Sequence, residues 1–455
     1  MTYRVINVAL AALACACASL LAALPVGAES GADRPGVENS LRARFVPSEV
    51  VVRFEGKGAG AAVKLPKGVG VGDATAALRR NPRVAYAVPN YIATASDFIP
   101  YDPGSVPPAP GSPRGWTQKQ WSFLCGAHCG RLAPFLRARG GIDAIRAWRR
   151  LIDVDREGAN GIRVAVLDTG IAYRNSPGFR RSPDLDSERF VRGHDFVAND
   201  ALPLDENGHG THIAGTIGAN TDNRIALTGL AYRTKLMPVR VLNSIGNGRS
   251  DQIASGIRFA ARHGADVINM SFNFDCGAAV PPVAEAIAAA HRRGVVVVAS
   301  VGNGPPRDCI TMPASARHAI AVGGTTAEAC AGSYTRTGAR LDLVAPGGGG
   351  GAVGLGCRSK GSSLPIFQLT YLPGSHKRFG YPAGYVGTSM AAAHVSGVAA
   401  LILGSGVLPN PSPASVLQRL RGTARDIGAP GWDPIYGCGL IDAGAAVDPA
   451  VPAPC

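Results

Sequence analysis

Three segments of the chain each carry one side chain suited to acid–base or nucleophilic chemistry. An apolar strand pattern ends in Asp168, and two apolar helix patterns begin near His209 and Ser389. A serine hydroxyl needs a base to take its proton as it attacks a carbonyl, and imidazole titrates near neutral pH. A carboxylate can hold the imidazole in one tautomer and stabilise its protonated form. Together these residue types predict acyl-transfer chemistry with Ser389 as nucleophile, His209 as base and Asp168 as its partner.

The helix patterns explain why Ser389 lies in a favourable position. The apolar run after it continues to about Leu403 without a proline, which predicts a buried helix. Backbone N–H groups at a helix N-terminus are unpaired, and the helix dipole there favours negative charge. An attacking oxygen or an oxyanion would be stabilised there, although a small-residue helix packed on a sheet is the alternative interpretation.

In their chain order, Asp, His and then Ser, the three segments resemble the subtilisin-like serine peptidases. The resemblance covers about residues 45–450. It implies that Asn303, just after an apolar strand pattern at 295–299, donates its amide to the oxyanion alongside the Ser389 N–H. The implied function is a self-processing serine endopeptidase acting through an acyl-enzyme without a catalytic cofactor. A maturation protease with few targets and an inactive scaffold that only binds are the alternatives.

Two further histidines lie within the same segments. His212 and His394 fall on the bodies of the predicted helices, three and five residues beyond His209 and Ser389. A histidine on a helix body is normally packed or hydrogen-bonded, so we expect structural roles for both.

Composition limits the class of protein. The 455 residues are 46% hydrophobic, with 59 glycines and 34 prolines, which suits a large loop-rich core with a smaller domain. The net charge is +14, but no block of basic residues with interleaved aromatics occurs. We therefore expect no nucleic-acid partner. The family resemblance implies protein or peptide substrates, and we also expect a monomer.

Residues 1–28 have the pattern of a secretory signal peptide. Arg4 precedes an apolar stretch from Val5 to Leu24, and a small-residue cleavage site ends at Ala28. A retained anchor is the alternative. No later segment is predicted to span a membrane, so we expect a secreted, extracellular protein.

Ten cysteines are present, and Cys15 and Cys17 fall within the predicted signal. The remaining even number in an exported chain favours disulfides over metal, although a zinc knuckle at Cys125 and Cys129 is an alternative. Sequence order suggests the pairs 125–129, 276–309, 330–357 and 438–455, among 105 possible connectivities.

A separate module precedes the catalytic segments. The sequence at 45–55 is typical of a strand and that at 73–80 of a helix, and the stretch 82–91 that follows ends in Pro-Asn-Tyr. This α+β pattern is similar to the family's inhibitory propeptide, which implies an intramolecular inhibitor over 29–97 and a peptidase domain over 98–455. A retained binding domain is the alternative.

Strand and helix patterns alternate in the larger domain, which predicts a three-layer α/β/α fold around a mostly parallel sheet. The predicted strands are 235–242, 265–272, 295–301 and 318–323, and the predicted helices are 251–263 and 281–293. Functional residues should gather at the carboxyl ends of the strands.

The resemblance also implies a substrate cleft and a calcium site. Substrate would bind along Ser271, Phe272 and Asn273, with Ser300, Val301 and Gly302 as the second wall of the first specificity pocket. Asn273 stands where the family usually has glycine, which narrows the pocket and favours apolar or medium side chains. The implied structural calcium ligands are Asp102, Asp184, Thr221, Asn223, Ile225 and Leu227.

Two departures from the family pattern remain. Ala393 replaces the usual proline four residues after Ser389 and is compatible with a helix. The long segment 347–386 could rim the cleft or form a disordered surface excursion, and the second is favoured.

Overall fold

The computed structural model describes residues 45–56, 60–91, 98–105, 115–126, 129, 134–354, 357 and 361–452. The chain divides into two compact units, residues 1–96 and 97–455, called here the small unit and the large unit. The predicted signal peptide lies outside the described residues, as do residues 92–97, which include most of the predicted propeptide junction.

The small unit is an α+β fold with its own core. Its strands are β1 (Phe45–Phe54), β2 (Ala61–Lys64) and β3 (Val84–Tyr91), and its helix is α1 (Val71–Arg79). The antiparallel sheet has the order β2-β1-β3. Val50 and Val52 point to one face because strand side chains alternate, and they pack with Leu78 of α1. The predicted strand at 45–55 and helix at 73–80 are present, and the structure adds β2 and β3.

The large unit contains a seven-stranded sheet whose strands are all parallel, in the order β10-β9-β8-β7-β4-β6-β5. The strands are β4 (Arg163–Asp168), β5 (His194–Asp195), β6 (Lys235–Arg240), β7 (Val267–Met270), β8 (Val296–Ser300), β9 (Ile320–Thr325) and β10 (Leu343–Pro346). Strands β7 to β10 are buried along their whole length, as continuous apolar runs in a covered parallel sheet should be.

Helices cover the sheet in two layers. They are α2 (Trp116–Lys119), α3 (Ala144–Asp153), α4 (His209–Gly218), α5 (Ser250–Arg262), α6 (Pro281–Arg292), α7 (Thr388–Ser405), α8 (Pro413–Gly422) and α9 (Ala443–Ala446). Helices α4 and α7 pack together, and α5 and α6 form a second pair. A hairpin of β11 (Thr370–Tyr371) and β12 (Phe379–Gly380) lies between β10 and α7 in the chain. The predicted three-layer α/β/α fold is confirmed.

Helix α7 corrects the expectation that no later segment has the length and composition of a membrane span. Its 18 residues are apolar enough to cross a bilayer, but 78% of them are buried within the large unit. A helix that is apolar on all sides is a core helix when protein surrounds it. Among the described residues it is the single helix that meets this criterion.

Three of the predicted disulfides are present, between Cys125 and Cys129, Cys276 and Cys309, and Cys330 and Cys357. The first of these rules out the zinc-knuckle alternative, because both sulfurs are consumed in the bond. Cys438 is also disulfide-bonded, and its predicted partner at position 455 lies outside the described residues.

The strand order places the functional segments together. Strand β4 is the first strand of this sheet along the chain, yet it lies inside the sheet between β7 and β6. The later strands are therefore added on both sides of it, and the strand order reverses at β4. Ligands of open parallel sheets bind at such a switch point, beyond the carboxyl ends of the strands. Asp168 is the last residue of β4, and Ser271 directly follows β7.

Candidate active site

Asp168 and His209 are hydrogen-bonded to each other. Asp168 is fully buried at the end of β4, and its Oδ1 lies 2.8 Å from His209 Nδ1. The same oxygen accepts the backbone N–H of Thr169 at 2.8 Å. The His209 side chain remains 24% exposed. This geometry fixes the ring orientation and places the Nδ1 proton between the two side chains, which leaves Nε2 free to act as a base.

The charges around His209 favour its protonated form. Burial alone would lower the pKa of the imidazole, but the charge of Asp168, its hydrogen bond and the charge of Asp205 together raise it above 6.5. A base with such a pKa takes a proton readily during attack and can return it later.

Asp205 is a supporting residue that the sequence analysis missed. Its Oδ1 accepts the N–H groups of Asn207 and Gly208 at 2.9 and 2.8 Å, and its Oδ2 accepts the hydroxyl of Thr211 at 2.6 Å. These bonds hold the turn that ends in His209 at the start of α4. An aspartate four residues before the histidine, followed by Asn-Gly, is a signal for such a turn.

Ser389 lies at the second position of α7 and is half-buried. Its Oγ donates to the carbonyl of Ser271 at 2.9 Å, and the Ser271 hydroxyl donates back to the carbonyl of Ser389 at 2.9 Å. In this state the Ser389 hydroxyl is bound to the end of β7. To give its proton to His209, the side chain would first have to leave the Ser271 carbonyl by a change of rotamer.

Asn269 is a second residue that the sequence analysis missed. It is fully buried in β7, where its Nδ2 donates to Ser271 Oγ and its Oδ1 accepts the Ser396 hydroxyl, both at 2.9 Å. The chain of bonds ties the backbone of Ser389 to the sheet. A lone amide within an apolar strand was the available signal, because a buried polar group requires partners.

Asn303 lies beside the N-terminus of α7. Its Oδ1 accepts both the N–H and the hydroxyl of Thr388 at 3.0 Å, and its side chain is exposed. With the oxygen held by the residue before Ser389, the amide N–H groups are left to face a ligand. A Cβ at Gly387 would lie 3.0 Å from Asn303 Nδ2, so glycine leaves room for this amide.

His212 and His394 have the structural roles that were predicted. The Nε2–H of His212 donates to the carbonyl of Ile366 at 3.0 Å, and the Nδ1–H of His394 donates to Met390 at 2.8 Å. Burial lowers the pKa of His212 to about 3 and that of His394 to about 4. Both rings are therefore neutral and packed.

The described part of segment 347–386 is an ordered rim of the site, so the favoured prediction of a disordered excursion was wrong. The Tyr385 ring stacks on His212 with centroids 4.0 Å apart and faces His209 at 6.5 Å. The Thr370 hydroxyl donates to the carbonyl of Gly208, and His376 Nε2 donates to that of Glu206 at 3.0 Å. These anchors come from distant parts of the chain, which explains why a glycine-rich sequence suggested disorder.

The six predicted substrate-binding residues form two adjacent segments. The Ser300 hydroxyl donates to the carbonyl of Phe272 at 3.3 Å, which joins the two walls. Asn273 is exposed, and its Nδ2 donates to the carbonyl of Phe274 at 3.1 Å. Val301 is buried, and Gly302 is in contact with Arg336.

The predicted calcium residues also lie together. Asp102 accepts the N–H of Asn223 at 3.0 Å, and Asp184 accepts the Asn223 side-chain amide at 2.9 Å and the Leu227 N–H at 3.2 Å. Ile225 donates its N–H to Asn223 Oδ1 at 2.8 Å. The Thr221 hydroxyl instead bonds to Thr228 at 2.6 Å.

The chemistry of this cluster fits a hard cation. Asp102 and Asp184 are both buried, and burial raises the pKa of Asp102 to about 6 and that of Asp184 well above 3.8. Neither carboxylate has an ion-pair partner within the described ranges. Those ranges also hold no group of three or more acidic, histidine or cysteine side chains, so neutral oxygens would have to complete the coordination.

Comparison with known proteins places the chain in a family. Residues 159–439 match the sequence profile of the Subtilase family, peptidases S8. The chain is 33% identical over 330 residues to a thermophilic serine proteinase of Bacillus sp. (strain AK1), covering 72% of this chain and 66% of that protein. It is 36% identical over 293 residues to subtilisin DY of Bacillus licheniformis, covering 64% of this chain and 92% of that protein.

A solved structure supports the same assignment. The fold is similar to that of a protease from Pseudoalteromonas arctica PAMC 21717, with a TM-score of 0.58 and 28% identity, covering 77% of this chain and 99% of that chain. The relatives named as a serine proteinase and as a subtilisin show that the chain is a serine-type endopeptidase. Because the family profile matches more than half of its residues, the chain belongs to the Subtilase family.

Proposed function

We propose that the chain is a secreted serine endopeptidase that hydrolyses peptide bonds through an acyl-enzyme. The observation that carries the proposal is the 2.8 Å bond between Asp168 and His209, together with the position of Ser389 in the first turn of α7. No other group is required for the chemistry, since the base, its partner and the nucleophile are all side chains of the chain.

In the first half-reaction, Ser389 Oγ forms a bond to the substrate carbonyl carbon while its proton passes to His209 Nε2. The carbonyl oxygen becomes an oxyanion. His209 then gives the proton to the leaving nitrogen, the carbon–nitrogen bond breaks and the amine departs. In the second half-reaction, water attacks the ester with His209 again as base, and Ser389 Oγ recovers its proton.

Two donors would stabilise the oxyanion. They are the backbone N–H of Ser389, unpaired at the helix N-terminus, and the amide of Asn303, whose oxygen is already held by Thr388. Donors fixed before the reaction need no reorganisation when charge develops.

Substrate would be a protein or peptide that lies extended along Ser271, Phe272 and Asn273, adding a strand by backbone hydrogen bonds. The rim formed by Tyr385 and the β11–β12 hairpin would confine the substrate beside His209. The expected side chain in the pocket between the two walls is apolar or of medium size.

The small unit would act as an intramolecular inhibitor and folding aid, removed after synthesis by the chain's own activity. Its separate core supports a module that folds as a unit before removal. Secretion to the extracellular space would follow from the predicted signal peptide. We expect it to act as a monomer.

A calcium ion would be held by the carboxylates of Asp102 and Asp184, the Asn223 amide oxygen and backbone oxygens of residues 221, 225 and 227. Three non-glycine residues of this loop, Asp222, Arg224 and Ala226, have φ of 61°, 62° and 47°. Such strain persists only where the surroundings hold it, and a bound cation would supply that restraint. The ion would act on stability and not on the reaction.

Hydrolysis of a peptide p-nitroanilide by the wild type and by Ser389→Ala tests the proposal. Steady release of nitroaniline is expected for the wild type, with acylation as the slow step because an amide reacts more slowly than the ester intermediate. The variant should release none above the uncatalysed background. Equal turnover by the two proteins would disprove the role of Ser389.

A further inference from the structure

A buried arginine lies against the loop that carries Asn303. Arg336 is 6% exposed, and its Nε and Nη1 donate to the carbonyls of Gly304 and Cys309 at 3.4 and 3.3 Å. A Cβ at Gly302 would lie 3.1 Å from both Cδ and Nη1 of this side chain. The arginine side chain therefore binds Gly304 and fills the space that a side chain at position 302 would need.

The backbone around Arg336 clamps the same loop. Residues 303 and 335 form an antiparallel bridge, the Arg336 N–H donates to the carbonyl of Gly302 at 3.3 Å, and the Gly304 N–H donates to that of Tyr334 at 2.7 Å. Gly302 and Gly304 have φ of 101° and 77°, which only glycine adopts readily. A loop with a flexible residue on each side of Asn303 depends on such outside contacts for its shape.

The charge of Arg336 is compensated by carbonyl dipoles. Within the described ranges, no carboxylate lies within ion-pair distance of its guanidinium. A buried arginine is normally paired with an acid, which cancels its field. Here no acid within those ranges cancels the field, so the positive charge lies directly against the loop that carries Asn303.

We infer that Arg336 is a positioning residue for the oxyanion hole: it fixes the Gly302–Gly304 loop so that Asn303 faces the reacting carbonyl, and adds positive potential behind it. The inference rests on the proposed function, since an oxyanion forms only if Ser389 attacks a carbonyl. An interaction that strengthens only as charge develops should raise kcat and leave KM unchanged.

Arg336→Met removes the charge and both side-chain donors, whereas Arg336→Lys keeps the charge. Arg419→Met is the matched control, because Arg419 is 7% exposed and also binds backbone carbonyls, those of Ala446 and Ala445 at 2.9 and 2.8 Å. These carbonyls belong to α9 and not to the Asn303 loop. Each protein is assayed on one peptide p-nitroanilide, and the active fraction is counted with a serine-directed fluorophosphonate.

Per labelled molecule, Arg336→Met should lower kcat about tenfold with KM unchanged, a smaller loss than removal of a direct oxyanion donor. Arg336→Lys should recover kcat to within about threefold of the wild type, because the charge remains. Arg419→Met should leave both constants unchanged. Arg336→Gln, which has no charge, replaces the methionine variant with the same expectation if that protein does not fold.

A double-variant comparison tests whether Arg336 acts through Asn303. In an Asn303→Ala background, Arg336→Met should change kcat less than about twofold, because the donor it positions is gone. An unchanged kcat in the single variant, a raised KM, or an equal tenfold loss in both backgrounds would overturn the inference. A wild type that neither labels nor hydrolyses would refute the proposed function and this inference together, whereas an active wild type with an indifferent Arg336 refutes only the inference.

Discussion

The large unit contains two buried carboxylate sites that differ in what faces them. Asp168 has an imidazole 2.8 Å away that can carry positive charge, whereas Asp102 and Asp184 accept hydrogen bonds from neutral amide groups. Burial of a carboxylate costs free energy unless a positive group compensates it. The first site supplies that group from the chain and suits proton transfer. At the second, the proposed calcium ion would supply it from solution and would act on stability.

The largest expected effect is a loss of activity, without a loss of stability, when the Asp168 site is changed. Asp168→Asn should lower kcat about 10⁴-fold, because an amide neither holds the productive tautomer nor stabilises the imidazolium. The thermal midpoint should change little. Steady-state kinetics and a melting curve on the same preparation measure both. Near-normal turnover would show that His209 does not depend on Asp168.

The second prediction concerns the site of Asp102 and Asp184, where a substitution should affect stability and not activity. Asp184→Asn should leave kcat per labelled Ser389 unchanged but abolish the stabilisation by calcium. For the wild type, calcium at about a hundred times its dissociation constant should raise the melting temperature by about 5 °C. Scanning calorimetry with and without calcium measures the difference. If calcium does not change the melting temperature of the wild type, the proposed calcium site is wrong.

The third prediction concerns pH in the absence of calcium. Burial raises the pKa of Asp102 to about 6 from 3.8, so the folded chain binds more protons than the unfolded chain between these values. Stability in a chelator should therefore fall as pH rises from roughly 4 to 6, and calcium should reduce that fall. Urea unfolding at pH 4.5 and 6.5 tests the sign. Stability that rises over this window would contradict the raised pKa.

The smallest expected effect is a shift in the pH profile of activity. His209 must be neutral to accept the serine proton, and Asp168 and Asp205 raise its pKa above 6.5. The acidic limb of kcat/KM should therefore lie above pH 6.5. Asp205→Asn should move it to lower pH, because one charge that favours the imidazolium is lost. If this substitution does not move the acidic limb, Asp205 only holds the turn before His209 and its charge does not affect the pKa of the imidazole.

The sequence predicted those parts of the site that depend on local pattern. The ends of β4 and the starts of α4 and α7 can be read from apolar periodicity, so Asp168, His209 and Ser389 could be placed at one sheet edge. The predicted helices and strands of the large unit begin and end within a few residues of those observed.

What the sequence did not reveal depends on contacts between distant residues. Asp205 receives the hydroxyl of Thr169, and Asn269 joins Ser271 to Ser396, partners that local periodicity cannot identify. The rim at Tyr385 looked disordered for the same reason, since its anchors belong to α4 and the turn before it.

The most direct test of the account is fluorophosphonate labelling of purified wild-type and Ser389→Ala protein, with intact mass recorded for both. The account predicts one label on Ser389 and loss of roughly the first hundred residues in the wild type, and neither change in the variant. A wild type that stays full-length and unlabelled after its N-terminal unit has been trimmed by an added protease would contradict it.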